Sequence, residues 1–413
     1  MSKRALVICY YFPPLGLGGV GRPLNLFKYL PQYGYECHVL TVKPVAYRAY
    51  EPELLHGLNT QHVFRSGSYD PQRMLYLMGI RTVSHGMIKK GKAVSDKYFP
   101  DSKIGWARPA TRLGKKLIKK HDYDVIISTS PPISTHQVAL DLIDKFSIPW
   151  IADFRDFWTM YRIEDSYTEE DNIRKGKELL ARIRDNCTVI TGVNPAIIDY
   201  IGEGEVIPNG YDRERAENWQ APPDSSQFMI GIPGNLNEER VIEPLLRTLE
   251  ALQEESPDTA ERIRLVQVGQ VDREWFEALL REHGFETRCE IHGLQKRDDT
   301  IEIFSRCHLF YIGLTADKEQ GILPQRLFDL AVSGRPILAY ASRNSEISHF
   351  IDEIDNGLHF ELETIDTAVS YLRQKIDDTT AGTATITPRP AYALPYSSDA
   401  MAERFARLMD TVA

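Results

Sequence analysis

The feature that most constrains this chain is a regular alternation of short apolar β-forming runs with amphipathic helical stretches, present in both halves of its 413 residues. In the first half the β-forming runs are Ala5–Tyr10, Glu36–Val42, Val125–Thr129, Pro149–Ala152 and Thr188–Thr191, separated by helical patterns near Val20–Leu30, Ala107–His121 and Ser134–Phe146. In the second half the runs are Met229–Ile232, Arg264–Val268, Cys289–His292, Leu309–Ile312 and Pro336–Tyr340, with helical patterns at Glu243–Glu254, Trp275–His283, Thr300–Arg306 and Pro324–Val332. Strands joined by crossover helices form a parallel sheet covered on both faces. The length exceeds what one hydrophobic core supports. Glycine and proline cluster at Asn194–Arg213, where Gly202-Glu203-Gly204 and Pro208-Asn209-Gly210 lie. The sequence thus predicts an α/β chain with domains at 1–200 and 205–392 and a closing segment at 393–413. Within it, 377–392 reads as a loop and Ser398–Met409 as a final helix.

Several function classes drop out at this level. The apolar run behind Met1-Ser2-Lys3-Arg4 is too short for a secretory signal, and no window matches a membrane-spanning helix, so a cytoplasmic protein is expected. The five cysteines, Cys9, Cys37, Cys187, Cys289 and Cys307, are scattered, odd in number and form no Cys-x-x-Cys pair. They read as free thiols, and a zinc site built on them is not expected. A net charge of −9 argues against nucleic acid as a partner. Residues 72–120 depart from this balance, with thirteen Lys or Arg against two acids, Asp96 and Asp101.

Three segments carry chemistry. Gly16-Leu17-Gly18-Gly19-Val20-Gly21 matches G-x-G-x-x-G and opens a helix. A nicotinamide dinucleotide fits poorly: five residues separate the first strand from Gly16, and the second strand ends in Leu40-Thr41-Val42-Lys43, with no carboxylate for a ribose. A longer glycine loop instead turns backbone N–H groups toward an anion or sugar, and Arg22 adds a charge-assisted contact. In the second segment, Asp153, Arg155 and Asp156 alternate with aromatics directly behind a buried strand, where parallel sheets bind ligands. Asp153 is the preferred functional residue here, against an internal Asp–Arg clamp. His136, which follows Ser130-Pro131-Pro132, is placed to line the same region. In the third, Gly321, Ile322 and Leu323 precede Pro324, a good first-turn residue. Arg326 and Asp329 share one helical face, suiting them to a diphosphate and a ribose respectively. Asn235 and Arg240 follow the first strand of the second half, and Arg240 is a further diphosphate candidate.

Tyr11-Phe12-Pro13-Pro14 with Gly18, Gly19 and Arg22, Ser130-Pro131-Pro132, Asp153 to Trp158, Pro208-Asn209-Gly210, and Gly321 to Pro336 together resemble the retaining GT-B glycosyltransferases, in particular the family 4 group. The resemblance covers nearly the whole chain. It implies two Rossmann-like domains facing across a cleft, with a C-terminal helix crossing back to the first. It further implies metal-independent, retaining transfer of a sugar from a nucleotide-diphosphate donor to a glycan or lipid-linked acceptor. In this reading Asp153 and Arg155 are catalytic. Gly18, Gly19, Asn235, Arg240, Gly321, Ile322, Leu323, Arg326 and Asp329 bind the donor. Arg22, His136 and Asp156 face the acceptor. Two positions depart from the family pattern. Gly321 stands where a first glutamate is usual, and Asn235 stands where an arginine is usual.

The basic stretch 72–120, with apolar Met74 to Met78 inside it, adds an expected peripheral contact with an anionic membrane surface. Two alternatives to transfer remain: a nucleotide-sugar epimerase on the same fold, and a nucleotide-sugar-binding protein without chemistry.

Overall fold

A computed structural model describes residues 3–16, 19–83, 96–159, 161–223, 226–236, 241–314 and 321–413. The chain divides into two compact units, Met1–Gly210 with Ser398–Ala413, and Tyr211–Ser397. The first holds seven parallel strands: β1 Lys3–Ile8, β2 Tyr35–Val42, β3 Val63–Ser66, β4 Val125–Ser130, β5 Trp150–Phe154, β6 Val189–Gly192 and β7 Glu205–Val206. The second holds six: β8 Phe228–Pro233, β9 Ile263–Val268, β10 Cys289–Ile291, β11 Leu309–Gly313, β12 Ile337–Tyr340 and β13 Gly357–Phe360. The spatial orders are β3-β2-β1-β4-β5-β6-β7 and β10-β9-β8-β11-β12-β13. Both sheets are therefore doubly wound, and in each the order reverses once, beside β1 and β4 in the first and β8 and β11 in the second. The carboxyl ends of those strand pairs are where open parallel sheets accept ligands.

Residue alternation explains the two-sided cores. In the first unit Ala5, Val7, Val125, Ile127 and Ile151 turn to one face, and Leu6, Ile8, Ile126, Ala152 and Phe154 to the other. The first set packs under helix Gly21–Tyr29 and the final helix Ser398–Val412, whose Met401, Ala402, Phe405 and Met409 are buried. The second set is covered by helices Ile104–Lys120, Ser134–Ile143 and Glu170–Asn186. In the second unit, helix Glu243–Glu255 covers one face and helices Gln325–Ala331 and Glu346–Ile354 cover the other.

Several sequence expectations change. The expected break at 200–205 falls at Gly210/Tyr211, because β7 pairs with β6 and Ile207 is buried in the first core. The closing segment starts at Ser398 and not at 393, since Ala393 and Tyr396 pack in the second core. The two crossings are tied together: the Tyr211 amide donates to Tyr396 O at 2.9 Å, and Ser398 Oγ donates to Gly210 O at 3.2 Å. The start of the expected 377–392 loop is helical, as Ile365–Thr380 runs on through it with Leu372 and Ile376 buried. Helix Glu170–Asn186 escapes sequence reading because its inward face rests on a few positions, such as Leu179, Leu180 and Ile183, in an otherwise charged segment.

Candidate functional site

In the first unit the organising group is Asp153, which lies inside β5 and not beyond it. Strand register puts Thr129 of β4 and Thr191 of β6 beside it in one cross-strand row. Thr129 Oγ1 donates to Asp153 Oδ2 at 2.6 Å, and Thr191 Oγ1 donates to Oδ1 at 2.7 Å. Arg22, on the helix packed over this face, completes a bidentate pair, Nε to Oδ2 at 2.9 Å and Nη2 to Oδ1 at 2.8 Å. Both side chains are fully enclosed. Burial alone would raise the Asp153 pKa, but Arg22 and the two threonines reverse this and hold it below the ordinary carboxylate value. The remaining Arg22 nitrogen, Nη1, donates to Pro208 O at 3.1 Å, and the guanidinium sits over the Phe405 ring at 5.0 Å.

Arg155 also spends its charge internally. Its Nε donates to Ser130 O at 2.9 Å, and its two terminal nitrogens donate to Gly19 O and Pro131 O. It therefore clamps the glycine loop to the Ser130-Pro131-Pro132 turn, the two loops at the order reversal of the first sheet. Gly19 has φ +90°, and an added Cβ would meet the Arg155 guanidinium at 3.4 Å. Gly18 lies outside the described residues. His136 is fully buried, with Nδ1 2.7 Å from Ser128 Oγ and its ring centroid 4.4 Å from that of Phe154 at a tilt of 40°. Burial drives its pKa down to about 3, so it is neutral, and its Nε2 has no hydrogen-bond partner among the described residues. Asp156 is different again: partly buried and without a hydrogen bond among the described residues. Burial pushes its pKa up to about 6 against the pull of Arg155.

In the second unit the site forms at the ends of β8 and β11. A pocket there is lined by Pro233, Asn235, Val241, Tyr311, Gly313 and Arg326, among others. Arg326 Nη1 donates to Pro233 O at 2.7 Å. Gly234, at φ +88°, is required beside it, because a Cβ would lie 1.5 Å from that same nitrogen. Gly269 in turn presses on the Gly234 backbone, where a Cβ would come within 2.3 Å. The strand-ending glycines thus admit protein atoms, an arginine and a neighbouring loop. Asn235 Oδ1 accepts from the Gln270 amide at 2.9 Å and ties those loops together. Gly321 adopts φ +68°, and Ile322 and Leu323 pack partly into the second core before the helix begins. Asp329, one turn past Arg326, is partly buried and accepts no hydrogen bond among the described residues. Burial raises its pKa to about 7, opposed by Arg297 and Arg215 and reinforced by Asp212. Arg240 and the segment just before Gly321 lie outside the described residues.

The structure brings Arg326 and Asn235 to one pocket, and Arg22 and Asp153 to one ion pair. Sequence reading missed Tyr311 and Val241, which line the pocket and are joined by a Tyr311 hydroxyl to Val241 O bond of 3.0 Å. It also missed Thr129 and Thr191. Their signal is positional, a threonine next to last in each of the two strands flanking Asp153.

Replacing Asp153 with Ala strands a buried guanidinium, and breaking such a pair costs about 3–5 kcal/mol. A urea titration of Asp153→Ala at pH 7 should show a loss of that size, whereas an unchanged midpoint would refute the anchoring role. Since the folded-state pKa is depressed, this stabilisation is present above the unfolded carboxylate pKa and is lost as pH falls through the folded one.

No protein-family profile and no curated protein sequence matches the chain. Solved structures do match across its length. Sucrose-phosphate synthase from Thermosynechococcus elongatus is 12% identical, covers 99% of this chain and 98% of its own, and gives a TM-score of 0.63. Anabaena HepE, solved in complex with UDP and glucose, is 14% identical over 99% of this chain and 100% of its own, with a TM-score of 0.63. A glycosyltransferase from Rickettsia africae is 14% identical over 100% and 98%, with a TM-score of 0.60. The chain therefore has the two-sheet GT-B fold of these glycosyltransferases.

Proposed function

We propose that this protein transfers a sugar from a nucleotide-diphosphate donor to an acceptor hydroxyl, with retention at the anomeric carbon. The observation that carries this reading is Arg326, which lines the pocket at the β8/β11 edge. On the same helix, one turn later, Asp329 is a partly buried carboxylate that accepts no hydrogen bond among the described residues. The likeness of fold to proteins such as HepE, solved with UDP and glucose, supports it. In the proposed step the bond from the anomeric carbon to the diphosphate oxygen breaks and the acceptor oxygen bonds to the same face of that carbon. The acceptor proton passes to the leaving phosphate. Arg326 stabilises the charge that develops on the diphosphate, with Arg240 assigned the same task on sequence alone. Asp329 accepts the ribose hydroxyls. Asp153 and Arg155 act as positioning residues that hold the glycine loop, and Asp156 is the first-unit carboxylate available to an acceptor.

Asp329 makes the assignment testable through two opposed effects. Its folded pKa of about 7 lies above the unfolded carboxylate value, so the folded chain binds this proton more tightly. Its contribution to stability is therefore greatest at acid pH and falls as pH rises toward 7. Asp329→Asn should raise the melting temperature at pH 8. It should also weaken nucleotide-diphosphate binding about 10- to 100-fold in calorimetry, the worth of hydrogen bonds to a charged group. A variant that binds as well as the wild type would remove the ribose assignment.

Incubation with a panel of UDP-, GDP- and ADP-sugars tests the activity. Nucleotide release that depends on an acceptor is the expected result. Release or isomerisation without acceptor would point to the epimerase reading, and binding without turnover to a non-catalytic protein.

A peripheral membrane contact through residues 72–120 belongs to the same proposal. Tyr69, Met74, Leu77, Met78 and Ile80 are exposed around helix Pro71–Leu77, with Arg73 and Arg81 flanking them. Helix Ile104–Lys120 turns Arg108, Arg112, Lys116, Lys119 and Lys120 outward. Lys103 is excluded from this surface, being buried against Gln72. Sedimentation with anionic vesicles should capture the protein at low salt and release it at high salt. No capture at low salt would remove the contact.

A further inference from the structure

At the amino ends of the first sheet's strands, remote in the fold from the ligand-binding edge, β2 presents Glu36 and His38 two positions apart and so on one face. A short turn ending at His62, immediately before β3, lays a second imidazole against them. His38 Nε2 is 2.8 Å from Glu36 Oε1, and His62 Nε2 is 3.7 Å from the same oxygen. All three donor atoms lie within 4.8 Å of one another. We propose that Glu36, His38 and His62 form a binding site for a divalent transition-metal ion of the zinc class.

Donor chemistry and spacing both carry this. Two imidazoles and one carboxylate are a ligand set of the kind found in three-residue zinc sites that leave a fourth position for water. Ligands about 2.0–2.1 Å from a tetrahedral ion stand roughly 3.3 Å apart, and the 2.8 and 3.7 Å separations bracket that value. The surroundings fit as well. His38 Nδ1 is 2.7 Å from the Tyr123 hydroxyl, the outer hydrogen bond that fixes a ligating imidazole with Nε2 outward. Arg4, the register partner of Glu36 on β1, donates from Nε to Oε2 at 3.1 Å. That bond orients the carboxylate and leaves Oε1 for the ion. The side chains of Glu36 and His62 are 27% and 32% exposed, which provides an entry path and room for water. A bound ion would link β2 to the turn before β3, bracing the edge of the sheet without contact with the candidate sugar-transfer groups.

The test uses the full chain, stripped with a chelator, dialysed, and titrated with zinc by calorimetry and elemental analysis. The expected result is one zinc per chain, a rise in melting temperature on loading, and loss of at least tenfold in affinity for both His62→Ala and Glu36→Gln. Tyr123→Phe should cost about tenfold, the usual effect of losing an outer-shell partner. His349→Ala, on an exposed helix position, should bind as the wild type does. Wild-type protein that takes up no zinc at micromolar concentrations would overturn the proposal. So would a folded His62→Ala or Glu36→Gln that keeps the wild-type isotherm. Circular dichroism on each variant separates loss of ligand from loss of fold.

Discussion

The enclosed ion pair between Arg22 and Asp153 is the interaction on which the first unit is organised. It joins three strands, through Thr129, Asp153 and Thr191, to the first helix, to the chain leaving at Pro208, and to the returning helix through Phe405. A charge in this setting is tolerable only because every carboxylate oxygen is occupied. The same geometry sets where the neighbouring groups lie. Arg155, two residues along on the adjoining loop, turns its donors onto three carbonyls and fixes the two loops at the sheet's order reversal.

The second unit uses a complementary strategy. Arg326 enters against backbone that must be glycine, and Gly234 and Gly269 give way in succession to admit it. Asp329 is partly buried and accepts no hydrogen bond among the described residues, and burial raises its pKa to about 7, a placement that works against folding at neutral pH. Residues that cost stability without satisfying a neighbour are the ones most economically explained by a ligand.

Much of the architecture was legible because apolar periodicity and breaker residues agree locally along this chain. The β-runs that became β1, β4, β8 and β11 are short, continuous and closed by turn residues, so their positions and parallel pairing followed directly. Elements whose inward face is sparse, such as helix Glu170–Asn186 and the edge strand β7, gave no comparable signal. The site was legible at the level of residue type and loop, less so at the level of role. Asp153 stood out as a charge among aromatics and was read as functional, whereas it is paired with Arg22, 131 positions away in sequence. The Glu36, His38 and His62 grouping had no sequence signature, since β2 and β3 meet only through sheet pairing.

The hydrogen-bonded seam at Gly210, Tyr211, Ser397 and Ser398 makes the second unit topologically an insertion. The first unit is discontinuous in sequence yet continuous in space, with its final helix supplied by the far end of the chain. Synthesis from the amino terminus therefore delivers the sheet of the first unit long before the helix that seals one of its faces. Until residue 398 has emerged, the apolar surface destined for Met401, Phe405 and Met409 stays uncovered, so completion of the earlier unit waits on production of the whole later one.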